Sequence, residues 1–322
     1  MLEDRYGRRF SYLRLSITDV CNFRCTYCLP DGYQSDSSRA FLTLPEIQTT
    51  VQAFSQLGTK KVRITGGEPS LRKDLPQIIQ TVADTPGIEQ VAITTNGYKL
   101  PQQIQSWIDA GLTSLNVSID SLDPQLFKSI TGHNKLETIL EGISMALDAG
   151  LPVKVNAVLM DQIRGEGFDR FLNWIKDNPI SVRFIELMET GDNAVFFGKK
   201  HQSGQALKED LLKKGWMRAL SEQTAGPAQE FQHKDYQGKI GLIMPYSKGF
   251  CDSCNRLRIS STGKLHLCLF AEQGLDLRAY LSRGDVEGLQ AELSRLLQDK
   301  ESSHWLDKGY TGATKHLAML GG

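Results

Sequence analysis

Residues 13–28 read LRLSITDVCNFRCTYC: three thiols, Cys21, Cys25 and Cys28, follow a β-branched run at spacings of three and two residues. Such spacing brings several thiolates to one point, as a metal or cluster site requires. In a chain this long it points to metal or redox work rather than to a disulfide framework. The run Leu13–Ile17 is also the first of six strand candidates, with Lys61–Thr65, Val91–Thr95, Leu115–Ile119, Val153–Leu159 and Val182–Leu187 after it. Helical patterns fall between them at about 44–57, 73–84, 101–110, 135–149 and 167–177. Thr43 before Pro45-Glu46 is a helix cap with Pro in the first turn, and Gly58, Gly111 and Gly150 are stop residues. Strands alternating with helices predict βα units and a parallel sheet, which right-handed crossovers curl toward a barrel or partial barrel.

After the first four strands come TDVCNFRCTYC, TGGEPS, TNGY and SIDS, while the fifth ends in NAVLM and the sixth in ELMETG; the unusual polar and Gly-rich residues fall at these carboxyl ends. Ligands gather at the carboxyl ends of parallel strands, so one large site across the barrel mouth is expected. From about residue 190 the βα rhythm stops. Residues 191–204 read as loop, 205–214 as helix, 240–247 and 256–260 as strands, and 275–282 and 285–299 as helices. This predicts two regions, 1–190 and 191–322.

With 322 residues and 40% hydrophobic content the chain can bury a large core. Lys and Arg number 37 and so do Asp and Glu, which argues against a polyanion-coating protein but not against a local cluster of Arg. No run of about 20 apolar residues is present, so no membrane span is expected. The start, MLEDRYGRRF, has no apolar signal core, and a cytoplasmic location is expected.

The other three cysteines, Cys251, Cys254 and Cys268, form a second group. Three thiolates on an iron–sulfur cluster leave one iron without a protein ligand, and an open position is where a small molecule binds and reacts. Two triads therefore fit two open sites. A Cys3His zinc site that includes His266 is an alternative for the second group.

Cys21-x3-Cys25-x2-Cys28, with Tyr27 before the last Cys, resembles the signature of radical S-adenosylmethionine (SAM) enzymes, and Gly66-Gly67-Glu68-Pro69 matches their GGEP element. The C-terminal GFCDSCNRLRISSTGKLHLCLF and the final Gly321-Gly322 narrow the likeness. From about residue 5 onward the chain resembles the molybdenum-cofactor biosynthesis protein A family, the GTP 3′,8-cyclases. Residues 161–168, DQIRGEGF, match least well and are assigned no role.

The resemblance implies a partial TIM-type (βα)6 barrel with a C-terminal α+β extension that carries a second cluster. It implies a lyase with two [4Fe-4S] clusters, one on each triad. SAM would bind at the first cluster and be reduced there to a 5′-deoxyadenosyl radical, which takes a hydrogen from C3′ of GTP. The C3′ radical then attacks guanine C8, giving 3′,8-cyclo-7,8-dihydroguanosine triphosphate. By family match, SAM contacts fall on Tyr27, Gly66, Gly67, Ser118 and Met188. GTP contacts fall on Arg14, Lys61, Arg63, Thr94, Lys154, Arg183, Arg256, Leu257 and Arg258. Arg14, Arg256, Arg258 and the tail glycines Gly321 and Gly322 are the expected catalytic set. Implied partners are a flavodoxin- or ferredoxin-type electron donor and the next enzyme, cyclic pyranopterin monophosphate synthase; a homodimer is left open.

The residues themselves agree in three ways. No GxxxxGK[ST] phosphate loop occurs, so a triphosphate must be met by side chains, and Arg forks suit phosphate. Cations within barrel strands are costly without an anionic partner. Arg256 and Arg258 alternate, so on a strand they share a face. Two rivals are a radical SAM peptide or protein maturase with an auxiliary cluster, and a non-catalytic iron–sulfur or zinc module. The first has no use for strand-end cations or a Gly-Gly tail; the second leaves GGEP unexplained.

Overall fold

A computed structural model describes residues 1–34, 40–220, 226–312, 314, 318 and 320. The strands β1 (Tyr12–Ser16), β2 (Lys61–Thr65), β3 (Gln90–Thr95), β4 (Ser114–Ser118), β5 (Val153–Leu159) and β6 (Ser181–Glu186) lie side by side in that order, all parallel. Each stands within a residue or two of its expected position. Parallel neighbours need crossovers, and helices α1 (Leu44–Gln56), α2 (Leu75–Ala83), α3 (Leu100–Asp109), α4 (Pro124–Thr131), α5 (Leu136–Asp148) and α6 (Glu166–Lys176) supply them.

Local chemistry sets these helices. Thr43 and Glu46 form a full capping box on α1, in which the Glu46 carboxylate accepts from the Thr43 N–H at 2.8 Å. Ile47, Val51 and Phe54 on its inner face are almost fully buried, as one stripe of an amphipathic helix should be. The sequence pattern did not reveal α4. Its signals are local and short: Asp123 caps the Leu126 N–H at 2.9 Å, Pro124 opens the helix, and Gly132 ends it at φ 78°.

Beyond β6 come α7 (Ala194–Lys200), α8 (Gly204–Lys213), β7 (Met217–Arg218), β8 (Gln229–Gln232), β9 (Lys239–Ile243), β10 (Arg256–Ile259), β11 (Lys264–His266), β12 (Leu275–Asp276), α9 (Arg278–Leu281) and α10 (Val286–Leu296). The expectation of loop through 191–204 is thus corrected by α7; this helix buries no residue fully, so it has no periodic apolar face to read. The expected helix at 275–282 is a short strand followed by one helical turn.

The late strands do not form a separate sheet. β9 pairs in parallel with β6, and β10 pairs in parallel with β1, Tyr12 facing Arg256 and Arg14 facing Arg258. The parallel block therefore runs β10-β1-β2-β3-β4-β5-β6-β9. It is bordered by antiparallel β11 and β12 at one end and by β8 and β7 at the other. Side chains alternate across it. In β2, Val62 and Ile64 join the apolar core while Lys61 and Arg63, also buried, point to the other face. Gly241 stands opposite Arg183 on β6, where a Cβ would meet the Arg183 side chain at 2.9 Å, so glycine makes room for that cation. No described helix is long and apolar enough to cross a membrane.

Candidate functional site

The first thiol triad sits on the loop after β1, and the Gly-Gly element after β2 holds that loop. Gly67 N–H donates to the Thr18 carbonyl at 2.8 Å and Glu68 N–H to the Val20 carbonyl at 2.7 Å. A Cβ on Gly67 would stand 2.5 Å from Asp19 O and closer still to Val20 O, and one on Gly66 would overlap Thr18 O. The glycines are thus required first by the cysteine loop, and both also line the cavity that the thiols face. Glu68 is fully buried; its carboxylate takes Ser70 N–H at 2.9 Å, Thr95 Oγ1 at 2.7 Å and Asn96 N–H at 2.6 Å, locking the ends of β2 and β3 together. Asn96 in turn donates to Asn22 at 2.8 Å. On the other flank, Arg24 and Thr26 donate their backbone N–H groups to Thr131 and Ile130, both at 3.0 Å, so α4 buttresses the loop.

Cys21, Cys25 and Cys28 line this cavity with Tyr27, Thr94, Ser118, Asp120, Asn156 and Met188. The Tyr27 hydroxyl donates to Asp120 at 2.9 Å, and Asp120 accepts from Val158 N–H at 2.8 Å. Burial raises the Asp120 carboxyl to about 6. Burial, with Glu68 adding to it, pushes the Cys21 thiol up to about 11, and burial with Asp120 pushes Cys25 well above its usual range. Thiols so placed become thiolates only against a strong positive centre, as a metal supplies.

The second triad lies across the sheet. Cys251, Cys254 and Cys268 line a cavity with Tyr12, Arg14, Arg63, Arg183, Arg256, Arg258, Lys300 and His304, among others. This cavity and the first share Asn156, Ile185 and Met188 in their linings, so the two triads face adjoining cavities. Cys28 and Cys268 also pack on one small apolar cluster of Leu269, Phe270, Leu306 and Leu320. Among the described residues no three His, Cys, Asp or Glu side chains are gathered as ligands of a single ion. His266, the fourth ligand of the zinc alternative, is not among the lining residues; its ring lies against Gly274.

Six cations and no carboxylate line the second cavity among the described residues. Burial first, then neighbouring Arg258 and Arg256, lowers Arg14 to about 9, and Arg63 and Arg258 each fall to about 10. Burial alone would raise Tyr12, but Arg63, Arg14, Lys61 and Arg256 outweigh it and bring the phenol to about 8. The Nε atoms of Arg63, Arg183 and Arg256 are buried without a hydrogen-bond partner. Buried donors in that condition call for an acceptor, and an anion provides many.

Lys61 and Lys154 lie elsewhere, at the N-terminal ends of β2 and β5. They line an opening at the opposite end of the barrel with Lys239 and Glu230, and Arg183 reaches both spaces. Arg183 pairs with Glu230 at 2.9 Å. Burial first, then Arg183, Lys61 and Arg63, holds the Lys154 ammonium down to about 7. Thr94 stands in the first cavity rather than with the cations. Leu257 faces Leu13 within the core. Gly321 and Gly322 lie outside the described residues, although Ala318, just ahead of them, lines the first cavity.

Sequence reasoning passed over Tyr12, Asn156, Asp120, Lys300 and His304. Asn156 carried a signal, since it is a polar residue within the strand expected at Val153–Leu159; Tyr12 lies one residue before the strand expected at Leu13–Ile17, which in the structure begins at Tyr12. Lys300 and His304 carried none: they come after α10 in a segment with no periodicity, and only folding brings them to the thiols.

The Radical SAM superfamily model matches residues 15–175, and a family described as Molybdenum Cofactor Synthesis C matches 180–306. The GTP 3′,8-cyclase of Vibrio parahaemolyticus is 55% identical over 324 residues, covering 99% of this chain and 97% of its own. That of Tolumonas auensis is 56% identical over 324 residues, covering 100% and 96%. A crystal structure of Streptococcus suis SuiB bound to S-adenosylmethionine matches with a TM-score of 0.60 at 14% identity, over 89% of this chain and 68% of that one, a likeness of fold alone. The chain belongs to the radical SAM superfamily and, within it, to the GTP 3′,8-cyclase family. Membership of the superfamily implies a [4Fe-4S] cluster and SAM, and the three thiols of the β1 loop fit the cluster in number, spacing and need for a positive partner.

Proposed function

We propose that this chain is a radical SAM GTP 3′,8-cyclase that converts GTP to 3′,8-cyclo-7,8-dihydroguanosine triphosphate, the first step of molybdenum cofactor biosynthesis. One observation carries the reading: two thiol triads face adjoining cavities, the second of which is walled by cations with no carboxylate among the described residues. Such a wall fits a polyanionic substrate lying between the triads.

Cys21, Cys25 and Cys28 would hold the first cluster, with Tyr27, Gly66, Gly67, Ser118 and Met188 around SAM. Cys251, Cys254 and Cys268 would hold a second [4Fe-4S] cluster whose open iron takes the guanine base. When bound, cluster and SAM supply the one-electron reduction and the radical that removes the C3′ hydrogen of GTP. The protein's own part is placement and exclusion of water. Arg256 and Arg258 share a face beside the second triad, and Arg14 faces Arg258 across the strand pair. Together they hold the nucleotide with its ribose toward Met188. Arg63 and Arg183 continue the cation wall, and Lys61 and Lys154 receive the far phosphates at the opposite end of the barrel. The Gly321-Gly322 tail, which lies outside the described residues, would by family likeness enter the active site, where two residues without side chains suit a narrow channel. Residues 1–190 thus carry the radical site and, through Arg14, Lys61, Arg63, Lys154 and Arg183, part of the nucleotide site, which residues 191–322 complete with the second triad, Arg256 and Arg258. A flavodoxin- or ferredoxin-type donor supplies electrons, and cyclic pyranopterin monophosphate synthase takes the product.

Anaerobic reconstitution tests this. Two four-iron clusters per chain and GTP-dependent release of 5′-deoxyadenosine are expected. Zinc in place of iron, or release that does not distinguish GTP from other nucleotides, overturns it.

A further inference from the structure

Arg8 is buried, yet it lines neither cavity and has no part in the chemistry above. Its Nε donates to Asp4 Oδ2 at 2.7 Å, and Asp4 Oδ1 accepts the N–H groups of Tyr6 and Arg8 at 3.0 Å. Asp4 therefore fixes both the turn and the plane of the guanidinium. The remaining fork spans distant segments. Nη1 donates to the carbonyl of Cys251 at 3.2 Å and of Ser302 at 2.8 Å, and Nη2 to that of Glu301 at 2.6 Å.

The segments that the fork joins both serve one sulfur. Immediately after Ser302, the Ser303 hydroxyl points to the Cys251 sulfur at 3.8 Å, and the backbone N–H of His304 is aimed at the same sulfur. The His304 ring is wedged between Phe250 and Phe270, 5.8 Å from each centroid. Arg8 thus sets the main chain of Cys251 against the segment that donates to its sulfur. Hydrogen bonds to ligand sulfurs are one of the levers that set a cluster's potential, and fixed ligand backbone is what keeps a cluster bound.

We propose that the Asp4–Arg8 pair is a positioning element for the second thiol triad: it clamps the Cys251 loop to residues 301–304, so that the triad retains its cluster and the Cys251 sulfur its hydrogen bonds. This rests on reading the second triad as a cluster site. Lysine cannot replace the clamp, because one ammonium has no planar fork to reach three carbonyls while holding Asp4.

The test uses Arg8→Lys and Asp4→Asn, each in the full chain and in a Cys21→Ala/Cys25→Ala/Cys28→Ala background that isolates the second triad. In that background Arg8→Lys is expected to retain less than a third of the parent's iron. The iron that stays should show a changed electron-paramagnetic-resonance signal and a lower midpoint potential. Asp4→Asn should shift both readings the same way but less. In the full chain, GTP affinity should fall at least tenfold while SAM affinity stays within twofold. Iron, signal and potential identical to the parent in both variants overturn the proposal. So does parallel loss of the first cluster and of SAM binding, which marks a general structural defect. If Arg8→Lys melts below the assay temperature, Asp4→Asn decides alone, and its identity with the parent is a refutation. A parent background that takes up no iron overturns the second-cluster reading itself, and the proposal with it; failure of the proposal alone appears only in the variants.

Discussion

Replacing Gly67 by alanine tests whether the Gly-Gly element serves the cysteine loop. The added Cβ would sit 2.5 Å from the Asp19 carbonyl, against about 3.4 Å for an ordinary contact, and its neighbours are backbone atoms that no rotamer change can move. The loop must therefore withdraw by about 1 Å, far more than a close-packed interior yields without cost. Such a withdrawal stretches the Gly67–Thr18 and Glu68–Val20 hydrogen bonds, now 2.8 and 2.7 Å, beyond bonding range. Two bonds at about 1 kcal/mol each, with about 1–3 kcal/mol for overpacking, give a loss of roughly 3–5 kcal/mol. If the loop detaches instead of straining the sheet, the loss appears in the thiol geometry. The assays are a thermal melt of the apoprotein and the iron count and SAM affinity after anaerobic reconstitution. Either a clear fall in melting temperature or at least a tenfold loss of SAM affinity with reduced iron is expected. Gly198→Ala is the control: no atom lies within 4 Å of a Cβ in that α7 position, so the change should be neutral or slightly stabilising. Gly67→Ala with unchanged melt, iron and SAM affinity refutes the reasoning.

Lys154, held to about 7 by burial and by Arg183, Lys61 and Arg63, should regain its ordinary value of about 10.4 beside a triphosphate. The bound state then holds the proton more tightly, so GTP binding at pH 8 takes up close to one proton and weakens about tenfold per pH unit above 7. Calorimetry in two buffers of different ionisation enthalpy reads the uptake; the same uptake in Lys154→Met, or none in the parent, refutes it. Cys251→Ala should keep SAM affinity and lose cyclisation, and full turnover in that variant removes the second triad from substrate binding. Deleting Gly321 and Gly322 should abolish turnover while the circular-dichroism melt stays in place; an active truncation or a collapsed melt rejects the tail's role at the site.

The barrel was legible because its strands carry their own punctuation: β-branched runs that end in Gly-rich or polar segments, helices that begin at Thr43 and end at Gly58, Gly111 and Gly150. The cysteines were legible by spacing alone. α4 was not, because eight residues hold too few turns for a periodicity and its Asp123-Pro124 start reads equally as a turn. Nor was the pairing of β10 with β1, since register between segments far apart in sequence leaves no local trace. The cation wall lay between these cases. Arg14, Arg63 and Arg183 are conspicuous in strands, but their gathering with Arg256 and Lys300 is a property of the folded sheet. The Gly-Gly element was expected to approach a ligand, and it lines the first cavity, yet its tightest contacts are with Thr18, Asp19 and Val20, backbone that sequence alone had no means to place beside it.

The pairing of β10 with β1 also bears on how the chain is made. During synthesis β1 gains β2 as a neighbour early, but its other edge stays open until residue 259 has emerged. At about 5–20 residues per second that delay is on the order of ten to forty seconds. Throughout it a nascent chain carries an exposed edge strand, YLRLS, next to three unliganded thiols. Such an edge recruits other strands, so the yield of folded protein should depend on translation speed and temperature well before any iron is supplied.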